Sequence, residues 1–354
     1  MKKNWTIIGI MSGTSLDGID LACCKFSEDD GKWSYQVQGA ETIPYSGFWV
    51  ERLRNVENAS AFEYVRTDLE YGHLIGKVCR KFILDHGITP DFISSHGHTV
   101  FHQPDKMITS QIGHGSAITA ETGFPVVCDF RTTDVALHGQ GAPLVPIGDR
   151  LLFSDYNYCL NLGGFANISY EKEGKRIAFD VCPVNIVLNH FSMIAGYAFD
   201  FNGDLARSGR TNPELLSRLN SLAYYHQGPP KSLGKEWVIS EVFPLMESFK
   251  IPVEDQLSTM CSHVAAQVSG AVQTSEHKKI LVTGGGALNG FLMEEIKKEN
   301  KTKIIIPDKG TIEFKEALVF AFLGLLRWTN QVNILSSVTG ADRDSIGGSV
   351  FAGQ

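Results

Sequence analysis

The chain has 354 residues, 43% apolar and 20% charged, which fits about two globular domains around a large core and excludes global disorder. Its net charge of −7, without a long Lys/Arg run, points away from nucleic acid and from an anionic membrane surface. Seven cysteines without a pairing pattern read as buried thiols in a reducing compartment.

The first element is a strand from Trp5 to Ile10, and a second runs from Ile19 to Phe26. Between and across them lies "GIMSGTSLDGID", residues 9–20, almost without bulky side chains. Two β-rich runs joined by a tight turn predict a hairpin, not the strand–loop–helix of a dinucleotide or P-loop site. Such a turn exposes backbone N–H groups and hydroxyls at Gly13, Thr14, Ser15, Leu16, Asp17 and Gly18, which can hold phosphate oxygens. Asp17 or Asp20 can hold a magnesium ion through water.

A helix follows over 61–86. Ser60 and Glu63 form a capping box, Gly87 supplies the stop, and Phe62, Val65 and Leu69 make an apolar stripe. Strand Phe92–Ser95 leads into "SHGHTVFHQP". The spacing of His96, His98 and His102 suits zinc, but no Cys or carboxylate is placed to complete the set, so hydrogen bonding to substrate hydroxyls is the better reading. "DFRTTD" carries Arg131, able to clamp a carboxylate bidentately, and Asp134.

Tyr158–Leu162 and Phe165–Tyr170 flank Gly163-Gly164 as a second hairpin. "RIAFDVCPVN" puts Asp180 where a strand runs into a proline turn. There a carboxylate either acts as a general base or caps the helix starting near Asn185. Lys231 in "PPKSLGKE" is a candidate phosphate contact. "KKILVTGGGALNGFLMEEIKKE" reads as a strand, a turn at Gly284, Gly285 and Gly286, and a helix from about Asn289 whose N-terminus favours a phosphate or adenosine. A buried helix spans about Lys315 to Trp328, with Glu316 in its first turn, where a carboxylate complements the helix dipole. No apolar run approaches the roughly 20 residues that span a bilayer. The start, Met1-Lys2-Lys3-Asn4-Trp5, does not read as a signal peptide, so a cytoplasmic location is expected.

Hairpin, second hairpin, then a glycine turn opening a helix is the plan of the two-domain, α/β actin-like ATPase and sugar kinase fold, with a central nucleotide cleft. The stretches "GIMSGTSLDGID", "SHGHTVFHQP", "DFRTTDVALHGQGAPLVP", "NLGGFANIS", "PPKSLGKEW", "VTGGGALN", "KEALVFAFLG" and "SSVTGA" resemble those of anhydro-N-acetylmuramic acid kinases. The resemblance implies an enzyme that uses ATP, Mg²⁺ and water to open the 1,6-anhydro bridge and phosphorylate O6, giving N-acetylmuramic acid 6-phosphate. Gly13 to Asp20, Ile19 included, match the ATP-binding segment, and Asp180 matches the catalytic aspartate. The remaining nucleotide contacts are expected at Gly163, Gly164 and Gly284 to Gly286. The sugar is expected at His96, His98, Arg131, Asp134 and Asn185, and the metal at Asp17 and Glu316 through water. The expected division is 1–140 and 141–330, with a tail of about 330–354 returning to the first domain. A small amino sugar is the expected partner, and a homodimer the expected assembly.

The family pattern Asp-Thr-Gly-Pro-Gly-Asn is replaced here by Asp180-Val181-Cys182-Pro183-Val184-Asn185, so either the backbone at 182 and 184 needs no positive φ or a substrate sits further away. His114 stands where an Asp is usual, His98 for a Gln, and His138 for a Gly. These departures fall on the sugar side. They keep open a kinase of another amino sugar without ring opening, or a non-catalytic sensor.

Overall fold

The computed structural model describes residues 4–13, 15–272 and 275–353, so Thr14 lies outside the described residues. In chain order the strands are β1 (Asn4–Met11), β2 (Gly18–Asp29), β3 (Lys32–Pro44), β4 (Phe92–Ser95), β5 (His98–Gln103), β6 (Ile108–Ile112), β7 (Val126–Cys128), β8 (Tyr158–Leu162), β9 (Phe165–Lys172), β10 (Lys175–Pro183), β11 (Lys279–Thr283), β12 (Lys303–Ile305) and β13 (Ser349–Phe351). The helices that bear on the site are α1 (Ala61–His86), α2 (Gly115–Thr122), α3 (Asn185–Ile194), α4 (Val253–Ala271), α5 (Gly290–Glu299) and α6 (Lys309–Trp328).

The chain forms two units, Met1–Leu152 with Phe314–Gln354, and Phe153–Glu313. In the first unit the sheet order is β13-β7-β4-β1-β2-β3, and in the second it is β10-β9-β8-β11-β12. The strand directions repeat as well. β1–β2 and β2–β3 are antiparallel while β1–β4 and β4–β7 are parallel. β8–β9 and β9–β10 are antiparallel while β8–β11 and β11–β12 are parallel. Each unit is therefore the same α/β motif, a three-stranded meander extended by parallel strands. This duplication is the actin-like plan that the order of glycine turns implies.

Both faces of the first sheet are covered, which is why β1 and β2 are apolar almost throughout. Ile8, Ile10, Leu21 and Cys23 pack with Tyr71, Ile75 and Phe82 of α1. Phe26 meets Phe322 of α6 on the other face, with ring centroids 5.4 Å apart. A Cβ at Gly9 would collide with the Ala317 carbonyl, so this glycine lets α6 lie directly on the strand. In the second unit Leu160 and Leu162 of β8 pack with Leu257, Met260 and Val264 of α4.

Helix α1 has the predicted ends. Ser60 accepts from the Glu63 N–H, and Gly87 closes the helix at φ 61. Its predicted apolar stripe faces water instead: Phe62, Val65 and Leu69 are exposed. The buried face holds Tyr71, Gly72, Ile75, Gly76, Cys79 and Phe82. Gly72 and Gly76 decide this orientation, because α2 sits where their Cβ atoms would be, 2.8 Å from the His114 carbonyl and 2.7 Å from Glu121 Cβ respectively. Helix α6 also begins earlier than predicted. Asp308 accepts from the Thr311 N–H at 3.0 Å, so Glu316 lies two turns in and does not serve the helix dipole. Among the described residues no disulfide forms, and no helix is long and apolar enough to cross a membrane.

Candidate active site

In the first unit β1, β4 and β7 run in parallel, so the segments leaving their C-terminal ends share one edge of the sheet. Strand ends of this kind are where open α/β sheets bind ligands. After β1, the turn places Leu16 at φ 60, a left-handed conformation that is unfavourable by about 1 kcal/mol for a residue with a Cβ. Ser15 Oγ donates to Asp17 Oδ1 at 2.8 Å. The turn's two glycines differ. A Cβ at Gly18 would lie 2.5 Å from the Ile43 carbonyl oxygen, so the fold itself requires that glycine. At Gly13 a Cβ would press on Ser15 Oγ at 3.2 Å, the end of a short side chain, while the nearest backbone atom, Ser15 N, is 3.9 Å away, so the fold demands this glycine less strictly.

Beside this turn, Asp20 lies opposite Met11 and accepts from Thr42 Oγ1 at 2.6 Å. Glu316 is reached by solvent, yet enough protein surrounds its carboxyl that desolvation pushes its pKa up, with the Asp20 carboxylate adding to the rise. Arg131 and Lys315 pull the other way. Lys315 Nζ is itself paired with Asp149 Oδ1 at 2.8 Å, both side chains buried. Two carboxylates near enough for one charge to act on the other supply only oxygen donors, the chemistry that a hard divalent cation takes. Among the described residues no three His, Cys, Asp or Glu side chains converge as a metal site, which removes the zinc reading of His96, His98 and His102.

His96 is buried and serves Arg131. Its Nε2 accepts from Arg131 Nε at 3.1 Å and from Nη2 at 2.9 Å, while Nδ1 donates to the Gly97 carbonyl at 2.9 Å. Burial and the adjacent guanidinium keep this ring neutral, its pKa well below the usual value. Arg131 Nη1 donates to the Gly141 carbonyl at 2.6 Å, and desolvation lowers the guanidinium to about 10, so it stays charged at neutral pH. Three bonds thus fix the guanidinium plane and leave two N–H groups for another partner.

Asp134 is fully buried, and its oxygens accept from Gly141 N and Thr339 Oγ1, each at 2.7 Å. It braces the loop that carries Gly141. His98 is also buried; its Nδ1 has no hydrogen-bond partner among the described residues, and burial lowers its pKa to about 4. The other replaced histidines keep backbone roles. His114 caps α2, its Nδ1 accepting from the Ser116 N–H at 3.3 Å, and His138 holds φ 65 with Nδ1 2.9 Å from Asp342 Oδ2.

In the second unit β8, β10 and β11 point the same way, and their ends gather the predicted residues. Gly163 and Gly164 turn the β8–β9 hairpin. Their carbonyls accept from the first amides of α3: Val184 N to Gly164 O at 2.8 Å and Asn185 N to Gly163 O at 3.2 Å. A Cβ at Gly164 would meet nothing within 4 Å. Gly284, at φ 82, turns the chain out of β11 against Asn161 and Leu162, and a Cβ at Gly285 would lie 3.6 Å from Asn185 Nδ2. Asn185 donates to the Leu162 carbonyl at 3.3 Å. Both hairpin glycines, the Gly284–Gly286 turn and Asn185 therefore lie together.

Asp180 sits at a bulge near the end of β10, where the register shifts between Asp180 and Cys182. It does not cap α3, whose N-cap residue, Val184, makes no side-chain cap bond and sits at φ −131, as a residue other than glycine can. Instead Asp180 Oδ2 accepts from the Leu233 N–H at 2.9 Å. Desolvation raises its pKa, and the Leu233 amide opposes part of that rise. Tyr224 and Leu233, which hold this carboxylate's residue, carry no sequence signature of that role; only the neighbouring "PPKSLGKEW" marks the segment. Lys231 does not stand free for a phosphate: its ammonium lies 4.4 Å from the Tyr224 ring centroid.

The anhydro-N-acetylmuramic acid kinase family matches residues 5–353. A protein named for this activity in Sulfurimonas denitrificans is 31% identical, covering 97% of this chain and 98% of its own length. One in Shewanella amazonensis is 33% identical, covering 97% and 98%. Among solved structures, the activator of 2-hydroxyisocaproyl-CoA dehydratase from Clostridium difficile, with bound ADPNP, covers 92% of this chain at 14% identity and a TM-score of 0.43. On the match along nearly its whole length, the chain belongs to the anhydro-N-acetylmuramic acid kinase family.

Proposed function

We propose that the chain is an ATP-dependent kinase that opens 1,6-anhydro-N-acetylmuramic acid with water and phosphorylates O6, yielding N-acetylmuramic acid 6-phosphate and ADP. The observation that carries this reading is Asp180, a carboxylate at a strand end. Leu233 holds one of its oxygens, and desolvation lifts its pKa toward the working range of a base. Water attacks C1 and gives a proton to Asp180. The electron pair of the C1–O6 bond passes to O6, which takes the γ-phosphoryl group as ADP leaves, and the proton then returns to solvent.

The glycine turns bind the nucleotide: Gly13 to Asp20 in the first unit, and Gly163, Gly164 and Gly284 to Gly286 in the second. The open space at Gly164, and the absence of backbone within 3.9 Å of a Cβ at Gly13, support a close approach of phosphate oxygens to backbone. Mg²⁺, which neutralises phosphate charge when bound, fits Asp20 and Glu316, with Asp17 nearby through water. Arg131, held by His96 and Gly141, offers its remaining N–H groups to the sugar's lactyl carboxylate. His98 supplies a neutral ring on the same side, Asn185 lies beside the phosphate turns, and Asp134 acts through the loop it braces. A kinase transferring to an existing hydroxyl is the second reading, favoured by Cys182 and Val184 beside Asp180. Product mass after reaction in ¹⁸O-labelled water decides between them. Ring opening adds one labelled oxygen, simple transfer adds none, and absence of any phosphorylated product sinks both.

A further inference from the structure

The segment from Tyr224 to Leu233 grips Asp180 at three atoms. Asp180 N donates to the Lys231 carbonyl at 3.2 Å, the Tyr224 hydroxyl donates to the Asp180 carbonyl at 2.6 Å, and the Leu233 amide donates to Oδ2 at 2.9 Å. Both backbone groups of a residue at a bulge, which the β9 ladder serves poorly, are thus taken by one segment, together with half its carboxylate. The grip is closed on itself by Lys231. Its ammonium donates to the Tyr224 carbonyl at 3.3 Å and lies over the rings of Tyr224, at 4.4 Å, and Phe179, at 5.7 Å.

The segment is also rooted in the core. The Tyr225 hydroxyl is 2.9 Å from Nε2 of the fully buried His263, whose Nδ1 is 2.7 Å from Asn220 Oδ1. His263 Nδ1–H donates to Asn220 Oδ1 and leaves Nε2 to accept from the Tyr225 hydroxyl, so the chain is satisfied with a neutral imidazole. A carboxylate fixed through its own main chain and one oxygen cannot rotate to offer the other oxygen elsewhere.

We propose that Tyr224, Lys231 and the Leu233 amide form the positioning element of Asp180, holding Oδ2 so that Oδ1 alone takes the proton from the attacking water. This rests on the reading of Asp180 as the base. Tyr224 and Lys231 are positioning residues, since neither touches the reacting atoms, and Lys231 is not a phosphate ligand.

The test uses the full-length enzyme with ATP and anhydro-N-acetylmuramic acid. Tyr224→Phe removes the hydroxyl and keeps the ring; Lys231→Met removes the charge and keeps the stem; Lys231→Arg restores a cation over the ring. Misplacement of a catalytic group by about 1 Å costs up to about 10²-fold, so partial loosening should lower kcat about 10-fold in Tyr224→Phe and Lys231→Met. Both KM values should stay within about 2-fold, and Lys231→Arg should recover most of the rate. Adding Tyr224→Phe to Asp180→Asn should slow the enzyme no further, because the two act as one unit. A raised KM for ATP with kcat intact in Lys231→Met would show a phosphate ligand and overturn the proposal. So would additive losses in the double variant. If Asp180→Asn alone keeps full turnover, the base assignment itself fails; if it is dead while Tyr224→Phe and Lys231→Met are unimpaired, only the positioning element fails.

Discussion

Replacing Asp180 by Asn keeps the shape of the side chain and deletes its basicity. The Asn carbonyl oxygen can still accept from the Leu233 N–H, 2.9 Å away in the parent, so the local structure has no reason to change. What then faces the water is an amide NH₂, a donor where a proton acceptor is needed. General-base assistance is typically worth about 10²–10⁴-fold, or about 2.7–5.4 kcal/mol at 1.36 kcal/mol per decade. On the proposed mechanism the loss should lie near the upper end, because the carboxylate would also stabilise positive charge developing at C1. Stability should move the opposite way. Burial raises the folded-state pKa of Asp180, so its ionisation disfavours the native state as pH rises through that value. Asn carries no such charge, and the variant should melt at or above the parent's Tm at pH 7–8. The assay is single-turnover formation of phosphorylated sugar at saturating ATP and anhydro sugar, with ATP affinity by calorimetry and Tm by scanning calorimetry. Turnover within a few-fold of the parent, in a folded protein that binds ATP normally, would refute the assignment and turn attention to Glu316.

Gly13→Val should weaken ATP binding by about tenfold or more, roughly 1.4 kcal/mol, with circular dichroism and Tm near the parent's, because a Cβ there presses only on Ser15 Oγ, at 3.2 Å, and on no backbone nearer than 3.9 Å. Unchanged nucleotide affinity in that folded variant removes the phosphate role of the turn. Gly9→Ala should do the reverse: the new methyl collides with the Ala317 carbonyl, and overpacking of about 1–3 kcal/mol should lower Tm by about 3–10 °C, whereas an unaltered Tm would mean that α6 does not seat on β1. The acid limb of kcat/KM should lie at a higher pH than unshifted carboxylates would give, because Asp180 and Glu316 are both raised by desolvation and are protonated below their shifted values. Asp180→Asn measured with the residual rate should lose the Asp180 contribution to that limb, and an identical limb in the variant argues that another group titrates.

Local chemistry makes much of this protein readable in its sequence. The two hairpins follow from small residues between β-branched runs, and pairing of Met11 with Asp20 and of Leu162 with Ala166 closes them where the glycines stand. The ends of α1 and the start of α5 were legible for the same reason: Ser60 and Asn289 cap amides three residues on, and Gly87 takes the left-handed turn. The start of α6 is harder to read although its cap is just as local, because the apolar run from Lys315 is a louder signal than Asp308 and Thr311. Which face of α1 turns inward was not readable, since close approach of α2 at Gly72 and Gly76 outranks the stripe at Phe62, Val65 and Leu69. Residue type also could not tell a ligand contact from a strut. Arg131 and Asp134 looked alike in "DFRTTD", yet one keeps N–H groups unspent while the other gives both oxygens to Gly141 and Thr339, 205 residues away. Asp180 was identified as a carboxylate at a strand end, but its hold on the Leu233 amide, 53 residues on, depends on how a separate segment folds back. Turns and caps are set by neighbours in the chain, so the sequence alone determined them. Helix orientation, which polar groups are spent inside the fold, and the hold on the Asp180 carboxylate are set by distant neighbours, and only the packed chain decided those.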